Sequence, residues 1–271
     1  MRDRIDGLEE GSVQDVSASP ALTLVVPCYN EERRLDRPAF YEALEAYDWL
    51  RLLFVNDGSR DNTLTVLSEM REHRPDRIEF IDLPQNVGKG EAVRQGLLAA
   101  IEQDTEYTGY WDADLSTGLI ELGPMAADLA CAPTNLAVFG SRIKRLGARI
   151  DRRPARHVIG RIFATLASWV LGVPVYDTQC GAKLFRVTSS FEEVVSQPFD
   201  TKWIFDVEIL SRMLSYIDPS RTSERDSPIR EYPLQDWKDV AGSRLKPTDF
   251  VAAAFDLVGV WRRSRARSRS N

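Results

Sequence analysis

The sequence has few cysteines and no long apolar run. Its three cysteines, Cys28, Cys131 and Cys180, are an odd number without metal-ligand spacing, which argues against a disulfide framework and favours a reducing compartment. No apolar run reaches the roughly 20 residues of a membrane span, and the first 20 residues are polar and acidic, unlike a signal peptide. We therefore expect a cytoplasmic protein that reaches a membrane only peripherally, from its cytoplasmic face.

Basic residues are outnumbered overall but concentrated in two places. Lys and Arg number 35 against 41 acids, for a net charge of -6. Eight Lys or Arg and one acid fall within residues 141–161, and the last ten residues hold five Arg. The first cluster is either a solvated loop or a patch that attracts anionic headgroups, at about 1 kcal/mol for each basic residue near the surface. The second, at 262–271, is expected to be a disordered tail, as are residues 1–20.

Short apolar runs alternate with amphipathic stretches through the first half of the chain. The strands predicted from these runs are Leu22–Pro27, Arg51–Asp57, Arg77–Leu83, Tyr107–Asp114 and Asn135–Ser141. Helices are predicted between them. This alternation indicates an α/β fold with a mostly parallel sheet and helices on both of its faces.

The alternation stops after Ser141. The basic segment leads into His157–Gly172, whose apolar residues repeat at helical spacing. This helix either packs in the core or lies in a membrane interface with Phe163 and Trp169 inserted. The further elements predicted are strands Ala182–Val187 and Ser227–Leu234 and helices Trp203–Leu214 and Thr248–Trp261.

Polar side chains follow four successive predicted strands. They are Asn30 and Glu31, then Asp57, then Lys89, and finally Asp112 and Asp114. The carboxyl ends of parallel strands meet at one edge of a sheet, which is where ligands bind in such folds. The first of these turns reads CYNEE and lacks a glycine fingerprint, which excludes a dinucleotide-binding dehydrogenase.

Two acids one residue apart, Asp112 and Asp114, end the fourth predicted strand. Alternation points both carboxylates to the same side of an extended chain, where their repulsion is costly unless a cation lies between them. A hard divalent ion, Mg²⁺ or Mn²⁺, shared with the phosphates of a substrate would satisfy both. The alternative is a solvated turn or a helix cap without any metal.

The other strand ends suit a nucleotide. The carboxylate of Asp57 can accept hydrogen bonds from the N–H and hydroxyl groups of a nucleoside. Lys89, in the glycine-flanked loop VGKGEA, can reach a phosphate or the base. A nucleotide diphosphate with a metal ion would therefore use all of these side chains.

Eight ordered motifs carry a family resemblance. The first four are PCYNEE (Pro27–Glu32), NDGSRDNT (Asn56–Thr63), NVGKGEAVRQG (Asn86–Gly96) and DAD (Asp112–Asp114). The second four are GSR (Gly140–Arg142), DTQCGAKLFR (Asp177–Arg186), FDVE (Phe205–Glu208) and WKDVAGSRLK (Trp237–Lys246). The first set resembles family 2 inverting glycosyltransferases with the GT-A nucleotide-sugar fold. The second set is similar to the dolichyl-phosphate glucosyltransferases and mannosyltransferases, and more so to the glucosyltransferases.

The resemblance implies one GT-A domain at 21–261, with a donor half at about 21–141 and an acceptor half at about 142–261. It implies UDP-glucose, in preference to GDP-mannose, as the donor, a polyprenyl phosphate as the acceptor, and an anionic membrane surface as a partner. By similarity, the nucleotide is held by Pro27, Tyr29, Glu31 and Asp57, with Lys89 nearby. Mg²⁺ or Mn²⁺ at the diphosphate is bound by Asp112 and Asp114. The acceptor phosphate faces Arg142 and Arg156, and the sugar pocket is lined by Gln179 and Asp206.

A phosphate acceptor changes what catalysis requires. A phosphate monoester, with a second pKa of roughly 6, is largely dianionic at neutral pH and needs orientation more than deprotonation. Arg142 and Arg156, together with a metal on Asp112 and Asp114, would supply that orientation and the charge stabilisation. We therefore assign no general base from the sequence. If the reaction uses one, Asp206 is the first candidate and Glu208 the second.

Two other functions stay open at this point. One is a soluble family 2 transferase with a sugar or small-metabolite acceptor, which requires a carboxylate base and no lipid. The other is a non-catalytic binder of nucleotide sugars or nucleic acid that uses the Arg-rich segments. The intact DAD motif argues against the second, and we expect no specific nucleic-acid partner.

Overall fold

The computed structural model describes residues 22–152, 154–218, 220, 227–240, 253 and 255–263, with the backbone alone at 154–156. The strands are β1 (Leu22–Cys28), β2 (Leu50–Asn56), β3 (Ile78–Asp82), β4 (Tyr107–Trp111), β5 (Ala137–Ser141), β6 (Arg149–Asp151), β7 (Ala182–Arg186), β8 (Ile229–Pro233) and β9 (Asp236–Lys238). The helices are α1 (Arg37–Ala46), α2 (Thr63–His73), α3 (Lys89–Glu102), α4 (Leu122–Ala130), α5 (Pro154–Leu171), α6 (Ser189–Ser196), α7 (Phe205–Leu214) and α8 (255–263). The two predicted tails lie outside the described residues, apart from residues 262 and 263 at the end of α8.

Seven strands form the central sheet in the order β3-β2-β1-β4-β7-β5-β8. Every neighbouring pair is parallel except the two that involve β7, which runs antiparallel to both β4 and β5. The chain leaves β1 toward β2 on one side and returns to β4 on the other, so a topological switch point lies between β1 and β4. The predicted α/β class with a mostly parallel sheet is confirmed, and ligands of such sheets bind at the switch point.

Helices cover both faces of the sheet. Leu24 and Val26 of β1 pack with α1, α2 and α4 on one face, while Val25 packs with α3, α6 and α7 on the other. All three are fully buried. A strand covered on both sides reads as a continuous apolar run, which is why the sequence predicted its position well.

Three elements were not predicted from the sequence. Strands β6 and β9 have three residues each and pair with one another as a separate parallel ladder. Helix α6 is capped by Thr188, whose hydroxyl accepts a hydrogen bond from the Phe191 N–H at 3.2 Å. These elements are too short for a periodic pattern to identify them.

Helix α5 packs against other helices. Ala164 and Ala167 are buried, and the partly buried Phe163 and Val170 join a small core with Val207 of α7 and with residues of α8. Of the two alternatives for this helix, Phe163 follows the first, because it lies on this packed side. The opposite side of α5, which includes Trp169, is exposed.

Candidate active site

The loops that follow β1 and β2 are hydrogen-bonded to one another at the switch point. The Asn30 N–H donates to Ser59 Oγ at 2.9 Å, and the Arg60 N–H donates to Asn30 Oδ1 at 2.8 Å. The Glu31 N–H donates to Thr63 Oγ1 at 2.8 Å. Asn30 adopts a φ of 54°, which an asparagine tolerates better than most residues. The two loops therefore form one fixed wall of the cleft.

The sequence-predicted nucleotide residues lie on or beside this wall. Pro27 is in β1 in register with Val55 of β2, and Tyr29 follows the strand directly. Glu31 is buried, and its carboxylate accepts a hydrogen bond from Arg34 Nη2. The structure thus brings Pro27, Tyr29 and Glu31 to the edge where a ligand of this fold would bind.

Asp57 fixes the loop that precedes α3. Its Oδ1 accepts from the Val87 N–H at 2.6 Å, and its Oδ2 accepts from the Gly88 N–H at 3.1 Å and from Asn86 Nδ2 at 2.9 Å. Burial raises the pKa of Asp57, and the two peptide N–H donors lower it by less. Asp57 therefore positions residues 86–88, a role that the sequence did not predict.

Asp112 and Asp114 lie in a tight turn after β4. The Leu115 N–H donates to the Asp112 carbonyl at 3.1 Å, Leu115 has a φ of 48°, and the Ser116 N–H donates to Asp114 Oδ1 at 3.0 Å. Trp111 anchors the turn, because its indole N–H donates to the Thr117 carbonyl at 2.7 Å. The predicted strand ran through Asp114, but β4 ends at Trp111, so the two acids lie in a hydrogen-bonded turn after the strand and not on one side of an extended chain.

The backbone of Gly181 lies directly against the Asp112 side chain. The Asp112 N–H donates to the Gly181 carbonyl at 2.9 Å. A Cβ at position 181 would collide with the Asp112 carboxylate. The position of this carboxylate therefore depends on a glycine 69 residues farther along the chain.

Lys89 faces this acidic turn from the start of α3. Its Nζ lies 2.5 Å from Asp112 Oδ1. Burial acts to lower the pKa of Lys89, but the carboxylates of Asp112, Asp206 and Asp114 outweigh burial and raise it. The structure thus brings together Lys89 and three of the predicted carboxylates around one charged centre.

Asp206 is the centre of a buried polar network. Its Oδ1 accepts hydrogen bonds from Tyr110 Oη and from Lys183 Nζ, the latter at 2.6 Å, and its Oδ2 accepts from Gln179 Nε2 at 3.4 Å. Lys183 is completely buried and also donates to the Cys180 carbonyl at 2.5 Å. Burial and the nearby Asp206 carboxylate raise the pKa of Tyr110 well above its usual value.

Sequence reasoning did not single out Lys183 or Tyr110. The signal for Lys183 was a lysine within the apolar strand AKLFR, where a charged residue needs a buried partner. That partner could not be identified from the sequence, because Asp206 lies on a helix 23 residues away.

Arg142 is held in a bidentate pair with Asp177. Its Nε donates to Asp177 Oδ2 at 2.6 Å, and its Nη2 donates to Asp177 Oδ1 at 2.7 Å. The guanidinium carbon lies 5.2 Å from the ring centroid of Trp237. Although burial acts to raise the pKa of Asp177, the Arg142 guanidinium outweighs it and lowers the pKa to about 2. Contact between Arg142 and the acceptor stays a prediction, since the observed partner of Arg142 is Asp177, through which it orients the loop at residues 177–181.

The remaining predicted residues lie apart from this centre or outside the described atoms. Glu208 is buried and accepts hydrogen bonds from Arg212 Nη2 at 2.8 Å and from Thr201 Oγ1 at 2.9 Å. It therefore ties α7 to the preceding loop and is a poor candidate for a base. Arg156 falls in the first turn of α5, and its side chain lies outside the described part of the structure.

The acidic turn has the donor chemistry of a divalent-cation site. Asp112 and Asp114 offer carboxylate oxygens at the open end of the sheet, which suit Mg²⁺ or Mn²⁺. Among the described residues no group of three acidic, histidine or cysteine side chains could enclose a metal. An ion here would complete its coordination with water and with the phosphates of a substrate, so the residues fit a metal that arrives with a nucleotide.

Comparison with solved structures identifies the fold. A glucosyl-3-phosphoglycerate synthase from Mycobacterium tuberculosis, in complex with Mn²⁺ and UDP-glucose, superimposes with a TM-score of 0.64 over 96% of this chain and 84% of that chain, at 15% identity. A mannosyltransferase from Pyrobaculum calidifontis, in complex with GDP-Man and Mn²⁺, gives a TM-score of 0.52 over 84% of this chain and 59% of that chain, at 18% identity. The fold is the GT-A fold of nucleotide-sugar glycosyltransferases.

Sequence comparison gives the family. Residues 23–192 match the model for glycosyl transferase family 2. A dolichyl-phosphate beta-glucosyltransferase of Trichomonas vaginalis is 32% identical, and the match covers 88% of this chain and 70% of the relative. The enzyme of the same name from Drosophila melanogaster is 31% identical over 92% of this chain and 77% of the relative. The chain belongs to glycosyl transferase family 2, and the predicted family resemblance is confirmed.

Proposed function

We propose that this protein transfers glucose from UDP-glucose to a polyprenyl or dolichyl phosphate, with inversion at the anomeric carbon. The observation that carries the proposal is the convergence of Asp112, Asp114 and Lys89 at the switch point of a GT-A sheet. Relatives named dolichyl-phosphate beta-glucosyltransferase match this chain over nine-tenths of its length and support the choice of sugar and acceptor.

The donor half supplies a prearranged nucleotide cleft. The wall formed by Asn30, Glu31 and Ser59 is fixed by hydrogen bonds between two loops, so little conformational entropy is lost when the nucleotide binds. Asp57 holds residues 86–88, which places Lys89 at the N-terminus of α3. Both the ammonium group and the positive end of the helix dipole then face the diphosphate.

A divalent ion on Asp112 and Asp114, when bound, would stabilise the negative charge of the departing UDP. The chain's own residues do the rest. Gly181 and Trp111 hold the acidic turn in place, and Lys89 offers a further cation to the diphosphate. Orientation of the donor and neutralisation of the leaving group are the two contributions that we assign to these residues.

In the acceptor half, a phosphate oxygen is the nucleophile. It forms a bond to the anomeric carbon as the bond from that carbon to the diphosphate oxygen breaks. Arg142 orients the loop at 177–181 through Asp177, and Arg156 at the start of α5 is proposed to contact the phosphate. Asp206 is engaged by Lys183 and Tyr110, so we assign it with Gln179 to the sugar pocket and assign no general base.

Helix α5 supports association with an anionic membrane surface. Five apolar side chains, which we call the α5 stripe, are exposed along one side of it: Val158, Ile159, Ile162, Leu166 and Trp169, with Trp169 79% exposed. At 100° per residue these positions fall within one narrow sector of the helix. The helix has no acidic residue and follows the basic segment. An exposed apolar stripe beside basic residues is typical of a helix that lies in a membrane interface.

The α5 stripe is joined to the active site. Arg161 of α5 donates from Nη1 to the Tyr176 carbonyl at 2.8 Å and stacks on the Tyr176 ring at 3.7 Å. Tyr176 precedes the loop that carries Asp177 and Gln179. A membrane at the stripe would therefore lie close to the acceptor side of the cleft. Among the described residues, no helix is long and apolar enough to cross a membrane.

Membrane association is tested by co-sedimentation with anionic vesicles. The double variant Ile162→Ser/Trp169→Ser should partition about tenfold more weakly, because two apolar side chains no longer leave water. Ile120→Ser is the matched control, since Ile120 is 78% exposed on a different element. Unchanged binding of the double variant would contradict this use of α5.

The reaction is tested with the purified protein, Mn²⁺, a short polyprenyl phosphate, and either UDP-glucose or GDP-mannose. We expect a glucosylated lipid phosphate by mass spectrometry with UDP-glucose and little product with GDP-mannose. Asp114→Asn should lower the rate of glucosyl transfer by about 100-fold or more, because the variant loses a proposed metal ligand. Release of UDP with the lipid unchanged would instead favour a soluble acceptor, and a fully active Asp114→Asn protein would contradict the metal assignment.

A further inference from the structure

The ion pair between Lys89 and Asp112 places a cation of the protein where a cation from solution is expected. Lys89 Nζ lies 2.5 Å from Asp112 Oδ1, so the ammonium group occupies the position beside this oxygen that a divalent ion would take. The ammonium group is also within electrostatic reach of Asp206 and Asp114. Lys89 therefore neutralises the carboxylates that would otherwise repel one another.

Asp112 cannot turn away to make room for a second cation. Its carboxylate packs against the backbone of Gly181, and its own N–H is bonded to the Gly181 carbonyl. Lys89, by contrast, has a four-carbon side chain that is 44% exposed. The flexible partner of this pair is the lysine, so an incoming divalent ion requires Lys89 to move.

We propose that Lys89 holds the place of the divalent ion until the nucleotide binds, and that the diphosphate then draws its ammonium group away from Asp112. Divalent-ion binding and nucleotide binding are then positively coupled. The ion alone must displace Lys89 from Asp112, whereas the ion with a diphosphate finds Asp112 open and Lys89 paired with phosphate oxygens. This inference rests on the proposed metal site at Asp112 and Asp114.

The coupling is reciprocal, as for any two ligands that share an equilibrium. Mn²⁺ should tighten the binding of UDP by the same factor by which UDP tightens the binding of Mn²⁺. A lysine that merely contacts phosphate would behave differently. Its removal would weaken UDP binding but would leave the affinity for Mn²⁺ alone unchanged.

The test measures Mn²⁺ binding by electron paramagnetic resonance, with and without UDP and without any acceptor. Lys89→Met should bind Mn²⁺ alone about tenfold more tightly than the wild type does. Addition of UDP should then increase the Mn²⁺ affinity of Lys89→Met by a much smaller factor than it increases that of the wild type. Lys89→Gln should behave like Lys89→Met, and Lys89→Arg should retain the wild-type coupling. Lys238→Met is the control, because it removes an equal charge from an exposed side chain on β9, the strand bonded to Ser116.

The inference is overturned if Lys89→Met and Lys89→Gln bind Mn²⁺ alone no more tightly than the wild type, or if Lys238→Met tightens Mn²⁺ binding equally. Asp112→Asn separates this result from failure of the metal site itself. If Asp112→Asn leaves Mn²⁺ binding unchanged, the proposed site is wrong. If Asp112→Asn abolishes binding while the Lys89 variants change nothing, the site stands and the role of Lys89 is refuted.

Discussion

At the scale of single residues, the site carboxylates differ in the protein groups to which they are bonded. Asp57 accepts from a loop, Asp177 from Arg142, and Asp206 from Lys183. These three are structural supports in addition to any contact with substrate. Asp112 has a third of its side chain exposed, and its ion-pair partner is the partly exposed Lys89. Asp112 can therefore exchange its partner for a ligand, whereas Asp57, Asp177 and Asp206 are held by bonds that the fold requires.

Gly181 should be essential for ion binding. In Gly181→Ala the new Cβ would displace the Asp112 carboxylate, so the Kd for Mn²⁺ in the presence of UDP should rise at least tenfold. Gly118→Ala is the control, because a Cβ at 118 would meet its nearest atom, in Ile120, at an ordinary 3.7 Å. Equal Mn²⁺ binding by the two variants would refute the steric argument.

Removing one partner of the buried pair of Lys183 and Asp206 should lower the free energy of unfolding more than replacing both partners does. Lys183→Met leaves the Asp206 carboxylate buried without its ion-pair partner, which should lower the free energy of unfolding by about 3 to 5 kcal/mol. Adding Asp206→Asn should restore part of that loss. Urea denaturation of the two single variants and the double variant measures the coupling, and strictly additive losses would contradict it.

At the scale of elements, the β6–β9 ladder braces the acidic turn at Asp112 and Asp114 from outside the main sheet. The Lys238 N–H of β9 donates to the Ser116 carbonyl at 3.1 Å. Buried Glu121 accepts from the N–H groups of Gln235 and Asp236 at 2.7 and 2.9 Å. A three-residue strand is unstable alone, and here its contacts with the turn and with Arg142 compensate for its length.

Trp237 should be the principal anchor of this ladder. Trp237→Ala removes a buried ring that packs on Arg142, so the free energy of unfolding should fall by about 3 kcal/mol. The KM for the lipid acceptor should rise as the loop at 177–181 loosens. Trp169→Ala is the comparison, since Trp169 is exposed and its loss should not change thermal stability. Equal melting temperatures for the two variants would argue against this account of Trp237.

At the scale of the whole molecule, the sheet divides the protein into two functional sides. The strand ends of β1, β2 and β4 carry the residues proposed to bind the donor, and the segment after β5 carries the basic cluster and α5. Strand β7 returns between β4 and β5, so Lys183 connects the two sides through Asp206. The net charge of the chain, -6, does not reveal that the basic residues are concentrated after β5.

Stability of the whole molecule should fall in acid through Asp177. Folding lowers the pKa of Asp177 from 3.8 to about 2. A carboxyl group with a depressed pKa stabilises the fold above its unfolded pKa, so the contribution, about 2 kcal/mol, is complete by about pH 5 and is lost as the pH falls from 4 toward 2. Unfolding measured against pH should show a shallower acid dependence in Asp177→Asn. An identical dependence in the variant would contradict the assignment.

Much of the fold and half of the site could be predicted from single segments. Buried strands such as β1 appear in the sequence as apolar runs, and the paired acids Asp112 and Asp114 indicated a charged site at the end of a strand. Arg142 was assigned to the acceptor phosphate by similarity, and its bidentate partner Asp177 was not foreseen. Lys183 was missed, because a lone lysine in a strand indicates a partner without identifying it.

The sequence by itself determined the α/β class, the order of the longer strands and helices, and the residue types at each strand end, because these follow from periodicity and local chemistry. The tertiary structure decided that β7 runs antiparallel, that Gly181 supports Asp112, and that Lys89 pairs with Asp112. Each of these depends on segments far apart in the chain. Their pairing is chosen by the free energy of the assembled core, and a local pattern does not contain it.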